Sequence, residues 1–300
     1  MKVQKIFISL LIASSILTLT SCGGGGGGSA GTGDLAIEIT DAKPLLPEGV
    51  TNLWVEIEEV LVHGQGGWES LPLPQTPSPY TIDLMQFHGD DIDDTTELVP
   101  PVMLTSGKYT QIRLVLAEDG AWIRFHDDDE QKYPVFIPSE NLKTDKNIDF
   151  DVPSGGSVDL MIDFDLSQSL VVTDDGSGTL SYKLKPVLHI VDTFEAATIS
   201  GIIDYTSFST NTANITVLAN GEVYTEVTVD KDETSDVGFT IFWLVPNKDY
   251  RVEIDFDYVQ GSETNSPDWC ENVNGTDLQP GADFLLNGNV DITPTSNCSS

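Results

Sequence analysis

Positive charge is scarce in this sequence. The 300 residues carry 14 lysines and arginines against 48 aspartates and glutamates, a formal net charge of -34. That shortage excludes nucleic acid as a partner, because phosphate contacts need clustered Lys and Arg. It also argues against a body lying flat on an anionic lipid surface. Histidine is nearly as rare, with four in the chain. His63, His88 and His126 are candidate ligands or bases by type, but none stands in a paired spacing such as HxH or HExxH. No GxSxG elbow, P-loop or dinucleotide fingerprint occurs. No long segment has a helical period, and one apolar run stands out, near the N-terminus. What is present suffices for folding. Hydrophobic residues make up 39%, above the range of disordered chains, and the length allows two modest domains.

The apolar run is Ile6 to Leu19, preceded by Lys2 and Lys5. A basic start and a run of that length fit a signal peptide and are too short for a spanning helix. Next comes Leu19-Thr20-Ser21-Cys22. This resembles the bacterial lipobox, an aliphatic residue and two small ones before a cysteine. The resemblance implies cleavage after residue 21 and lipid attachment on Cys22. Several acyl chains make a stable anchor where one is marginal. Gly23 to Gly28 and Ser29-Ala30-Gly31-Thr32-Gly33 follow, a flexible tether with an r.m.s. reach of roughly 17–20 Å. The absence of aspartate after Cys22 resembles an outer-membrane address.

The remainder reads as strands. Leu35, Ile37 and Ile39 alternate with polar or small residues, as do Leu53, Val55 and Ile57, and Ile112, Leu114 and Leu116. Val158, Leu160, Ile162 and Phe164 alternate with Asp159, Met161, Asp163 and Asp165. Leu184, Pro186, Leu188 and Ile190 continue the pattern. A period of two with one polar face predicts half-buried antiparallel strands, and their spacing predicts a β-sandwich. A second pattern begins near residue 196. Ile199 to Ile203 predicts a strand, Ile215 and Val217 lead into an Asn220-Gly221 hairpin turn, and Tyr250, Val252, Ile254, Phe256 and Tyr258 give a clean alternation. Cys270 and Cys298, in an exported chain, predict a disulfide that pins the C-terminal tail.

Two resemblances follow from these stretches. Thr40-Asp41-Ala42, Val55 to His63 with Trp68, Leu104 to Leu114, Asp163-Phe164-Asp165 and Tyr182 to Val187 resemble DUF4382, a lipoprotein family of unknown function. That resemblance covers about residues 34 to 193 and implies an Ig-like extracellular module. Ser200 to Ile203, Asn220-Gly221, Val237 to Thr240 and Leu244 to Tyr250 resemble the carboxypeptidase-regulatory-like β-sandwich, which implies a structural or adhesive appendage. The expected fold is all-β: two Ig-like or transthyretin-like antiparallel sandwiches. The expected order is signal peptide 1–21, lipidated cysteine and linker 22–33, and sandwiches 34–195 and 196–300.

Acidic clusters are the main candidates for chemistry: Asp90 to Asp94, Asp127 to Glu130, and Asp230 to Asp236. Calcium needs six to eight converging oxygens. Asp127, Asp129, Asp230, Asp232 and Asp236 are the candidate ligands, although no run has EF-hand spacing. The alternative is a solvated loop. The five tryptophans could stack on sugars or simply pack, with Trp68 capping a hairpin and Trp269 covering the disulfide. The expectation is a non-enzymatic surface binding, adhesive or structural module of the cell envelope, with a protein or glycan partner and membrane contact through lipid alone. A calcium-stabilised carbohydrate binder is the second reading. An envelope glycan hydrolase with paired carboxylates is the third.

Overall fold

Successive side chains of a strand point to opposite faces, so alternation of apolar and polar residues dictates most of this architecture. A computed structural model describes residues 31–41, 49–74, 78–87, 91–125, 131–138, 141–143, 149–174, 180–207, 211–231, 236–256, 267–289, 292–293 and 298. The signal peptide, Cys22 and most of the tether lie outside the described residues. The fold is all-β, as the alternation predicts. The strands on the first core are β1 (Thr32–Thr40), β2 (Val50–Gly64), β3 (Gly67–Leu71), β4 (Tyr80–Asp83), β5 (Thr96–Thr105), β6 (Gly107–Tyr109), β7 (Gln111–Phe125), β8 (Tyr133–Phe136), β9 (Asn141–Lys143), β10 (Phe150–Val152), β11 (Ser157–Asp165), β12 (Leu170–Asp174), β13 (Leu180–Leu184) and β14 (Val187–Asp192). Those on the second are β15 (Ala197–Asp204), β16 (Thr212–Ala219), β17 (Glu222–Asp230), β18 (Asp236–Leu244), β19 (Tyr250–Asp255), β20 (Trp269–Val273) and β21 (Asp283–Leu285). No helix among the described residues is long and apolar enough to cross a membrane.

The first core lies between a smaller sheet, β14-β11-β1-β5, and a larger one, β12-β13-β8-β7-β2-β3, with β4 on β2 and β9 on β7. Leu35, Ile37 and Ile39 of β1 join Leu53, Val55 and Ile57 of β2 and Ile112, Leu114 and Leu116 of β7 in one buried cluster. Beyond Ile57 the alternation shifts phase at bulges, and Val60 and Val62 become the inward residues. Most pairs are antiparallel. Three among the described strands are parallel: β1 with β11, β8 with β13, and β15 with β21. Parallel partners need long crossovers, and each of these pairs is separated by other strands in sequence.

The stretch from Leu184 to Ile190, one strand by its alternation, is two. Leu184 ends β13 in the larger sheet, and Val187 begins β14 in the smaller. Pro186 has no N–H for a ladder, so the chain changes sheet there. Ser169 pins the crossing. Its carbonyl accepts from the Lys185 N–H at 2.8 Å and its hydroxyl from the Val187 N–H at 2.9 Å.

The second core lies between β18-β15-β21 and β17-β16-β19-β20. Asn220 (φ 56°) and Gly221 (φ 81°) are both left-handed and turn β16 into β17, as the Asn-Gly pair predicts. Tyr250, Val252, Ile254 and Phe256 are buried, and Tyr258 lies outside the described residues. Cys270 and Cys298 form the disulfide, with Cα atoms 5.6 Å apart, and Trp269 beside it is buried.

One face departs from expectation. Met161, Asp163 and Asp165 alternate with core residues and so should meet solvent, yet all three are buried. Asp163 lines a small pocket with Thr225 and Val227 of β17 and Ile241 to Trp243 of β18, so the second sandwich lies on this face. His189 of β14 stacks on Tyr224 of β17 at 4.0 Å, and the Gln168 side-chain amide donates to the Val223 carbonyl at 3.2 Å.

Candidate functional site

With Leu53, Val55, Ala121 and Ile123 turned inward, the intervening residues of β2 and β7 must point away from the core. Two of them are Trp54 and Trp122, direct cross-strand partners whose rings stack with centroids 5.9 Å apart. The Arg124 guanidinium lies 4.8 Å from the Trp54 centroid, and the Lys132 ammonium 4.1 Å from that of Trp122. Further across the same sheet, Lys183 lies 5.8 Å from the ring of Phe136, which is 65% exposed. At the far end of β2 and β7, Arg113 sits 3.8 Å over Trp68, and His63 packs against the same indole at 4.9 Å. Three of five tryptophans and four of 14 cations thus collect on one sheet face.

The electrostatics are unusual for so acidic a chain. Among the described residues the ion pairs are Lys108–Asp149 and Arg251–Glu253, each at 2.6 Å. The four cations of the face lie against rings, contacts worth about 0.5–1 kcal/mol each at exposed sites. Arg113 Nε, Arg124 Nε and Trp122 Nε1 are shielded donors with no acceptor among the described residues.

A cleft of about 340 Å³ opens at the Trp68 end, between Gly64–Glu69 and Thr105–Tyr109. Gly64 is required there, since a Cβ would come within 2.8 Å of the Tyr109 ring, and Gly67 turns the hairpin at φ 99°. Tyr109 stacks on Phe150 at 5.3 Å and donates to the Thr105 carbonyl at 2.9 Å. Burial, and then the charge of Glu69, raise its phenol. Lys108 is held by Asp149, whose hydrogen bond and charge raise the ammonium. Trp68 is 38% exposed.

Of the acidic candidate ligands, Asp230 and Asp236 are among the described residues. Asp127, Asp129 and Asp232 lie outside the described residues, as do His88 and His126. Asp230 accepts from the Thr212 hydroxyl at 2.8 Å, and Asp236 begins β18 opposite Asp204. Asp91 bonds its own turn, accepting from the Asp93 N–H on its side chain and the Asp94 N–H on its carbonyl. Among the described residues no three His, Cys, Asp or Glu side chains gather as a metal group. Nothing in the spacing of Trp54, Trp68 and Trp122 announces a shared face. The available signal is local: Trp122 and Arg124 are two apart, hence on one side of a strand.

No curated protein matches the chain. Among solved structures it is similar to the Bacillus anthracis TIE protein, at TM-score 0.21 and 10% identity over 87% of this chain. It spans about a third of that protein's length, 34%. It is also similar to BcpA, the major pilin subunit of Bacillus cereus, at TM-score 0.19 and 12% identity over 86% of this chain and 99% of that one. Overlap that slight carries no argument about function. A family model described as Domain of unknown function (DUF4382) matches residues 32–186, which runs from β1 through β13 and includes the tryptophan-bearing sheet. That match spans more than half of the sequence, and the chain belongs to the DUF4382 family.

Proposed function

We propose that the protein is a lipid-anchored, non-enzymatic binding module of the bacterial cell envelope, and that its contact surface is the outer face of the larger sheet. The observation that carries this reading is the collection of Trp54, Trp68, Trp122, Arg113, Arg124 and Lys132 on that face. Tryptophan and arginine dominate binding hot spots, because each offers a large rigid contact area with a polar edge. The lipobox-like segment ending at Cys22 supports the anchor, and the glycine-rich composition that follows it suits a tether. The second sandwich, with its likeness to carboxypeptidase-regulatory-like domains, serves as a structural appendage.

The test uses full-length protein in detergent and its binding to purified cell-surface polymers and intact cells. Trp54→Ala with Lys132→Glu should weaken that binding at least fivefold at unchanged Tm. Undiminished binding would remove the face from the reading. Cys22→Ser should abolish acyl-lipid labelling and release the body into soluble fractions; labelling that persists would overturn the anchor.

A further inference from the structure

We propose that the cleft at the β2–β3 hairpin tip is a saccharide site, with Trp68 as its stacking platform and an uncharged glycan as its ligand. This deepens the binding-module reading and rests on it. The volume, about 340 Å³, falls at the low end of small-ligand sites, which run from about 300 to 1,000 Å³. The lining has the two kinds of surface that a sugar ring presents. The C–H face of a pyranose needs a flat apolar partner, and the part of the Trp68 indole that Arg113 leaves uncovered is the one this cleft has. The hydroxyl rim needs donors and acceptors close together. Gln65, Glu69, Ser106 and Lys108, which line the same cleft, bring an amide, a carboxylate, a hydroxyl and an ammonium.

The platform is held in place before any ligand arrives. Trp68 stands directly opposite His63 across the hairpin, with Arg113 at 3.8 Å from its ring centroid and His63 at 4.9 Å. The floor is equally fixed. Tyr109 is buried, stacked on Phe150 and bonded to the Thr105 carbonyl, and it leaves no room for a side chain at position 64. A preorganised aromatic wall loses little entropy on binding, which is what a weakly held, hydroxyl-rich ligand requires.

Charge selects the ligand class. The lining ammonium of Lys108 is already engaged by Asp149 at 2.6 Å, and Glu69 adds a negative charge to the same wall. Arg113 over the indole offsets Glu69, but Asp149 and Asp151, the latter directly opposite Lys108 across the β6–β10 ladder, outweigh that single ammonium, so an anionic sugar or a phosphate would meet more acid than base there. At physiological salt the Debye length is about 8 Å, so these near charges outweigh the remote remainder of the chain. A neutral glycan is what this cleft accepts.

The experiment measures retention of the full-length protein in detergent on neutral polysaccharides of the glucan, mannan and chitin types, with an acidic polysaccharide alongside. Wild type should be retained by at least one neutral polymer. Trp68→Ala should weaken that retention at least tenfold at unchanged Tm, and Gln65→Ala severalfold. Ser106→Trp, which adds a bulky side chain to the lining, should abolish it even if Trp68→Ala proves unstable. Phe194→Ala, 90% exposed in the turn before β15, should behave as wild type. No neutral polymer retained, retention on the acidic polymer alone, or indifference to both Trp68→Ala and Ser106→Trp would overturn the proposal. If the glycans fail while Trp54→Ala with Lys132→Glu still abolishes attachment to cells, the saccharide site falls and the binding module stands. If both fail, both readings fall.

Discussion

At the scale of single residues, the junction between the sandwiches sets the most direct test. Glu226 lies on β17 and accepts from the Thr216 hydroxyl at 3.2 Å. Burial is the main cause that raises its carboxyl, and the charge of Asp165 across the junction adds to it, while hydrogen bonds from Thr216 and Asn214 pull it back. A raised folded value means that the folded chain holds this proton more tightly than the unfolded chain. The stability it contributes is therefore fully present below the unfolded carboxylate range, near pH 4, and is lost as pH rises through the raised value. Glu226→Gln keeps an acceptor for Thr216 and removes the charge. Its Tm should exceed that of wild type by roughly 2 °C at pH 7–8, and the gap should close near pH 4. A gap that stays constant with pH would show that burial of a charge at this position is not the cause.

At the scale of elements, β11 separates what alternation can tell from what it cannot. Val158, Leu160, Ile162 and Phe164 are inward, as their spacing predicts. The other face looks polar, and its Asp163 and Asp165 suggest solvent, but a second sandwich lies on it. Met161→Arg should therefore behave as a core substitution. It would force a longer, charged side chain into the space of a fully buried methionine, with a cost of about 3 kcal/mol by order of magnitude and a fall in Tm of about 10 °C. Asp159→Arg, two residues earlier on the same side but exposed, should change Tm by less than about 2 °C. Equal effects in thermal melts would show that the covered face contributes nothing. The hairpin at Asn220-Gly221 was legible because its turn type depends on two adjacent residues. The split of Leu184 to Ile190 between two sheets was not, because alternation is local while the choice of sheet depends on strands far away in sequence. The same limit hid the candidate site. Each tryptophan was visible, but the pairing of β2 with β7 and β3 is what gathers them.

At the scale of the whole molecule, the two sandwiches cannot be independent beads on a tether. The DUF4382 match ends at residue 186, before β14 and the entire second core. Yet the outer face of β11 and β14 is covered from beyond that limit, through His189 on Tyr224 and Gln168 on the Val223 carbonyl. The Lys248 ammonium, 4.5 Å from the same Tyr224 ring, adds a further contact on the second side. Burial, with Tyr250 and the Asp163 charge adding, drives the Tyr224 phenol well above its ordinary value, as expected where water has been displaced. Removing the second sandwich would return Met161, Asp163 and Asp165 to water and leave His189 without its stacking partner. A chain ending at residue 195 should therefore melt at a lower temperature than the full-length protein, with more aggregation, because a sheet face containing fully buried Met161 becomes surface. The full-length protein should unfold in one transition by calorimetry, with both cores lost together. Two well-separated transitions, together with an unchanged Tm for the shortened chain, would show that the junction is a contact without consequence. A single transition would mean that the tether delivers one rigid two-sandwich body, with the tryptophan face on the first sandwich turned away from the sheet that the second one covers.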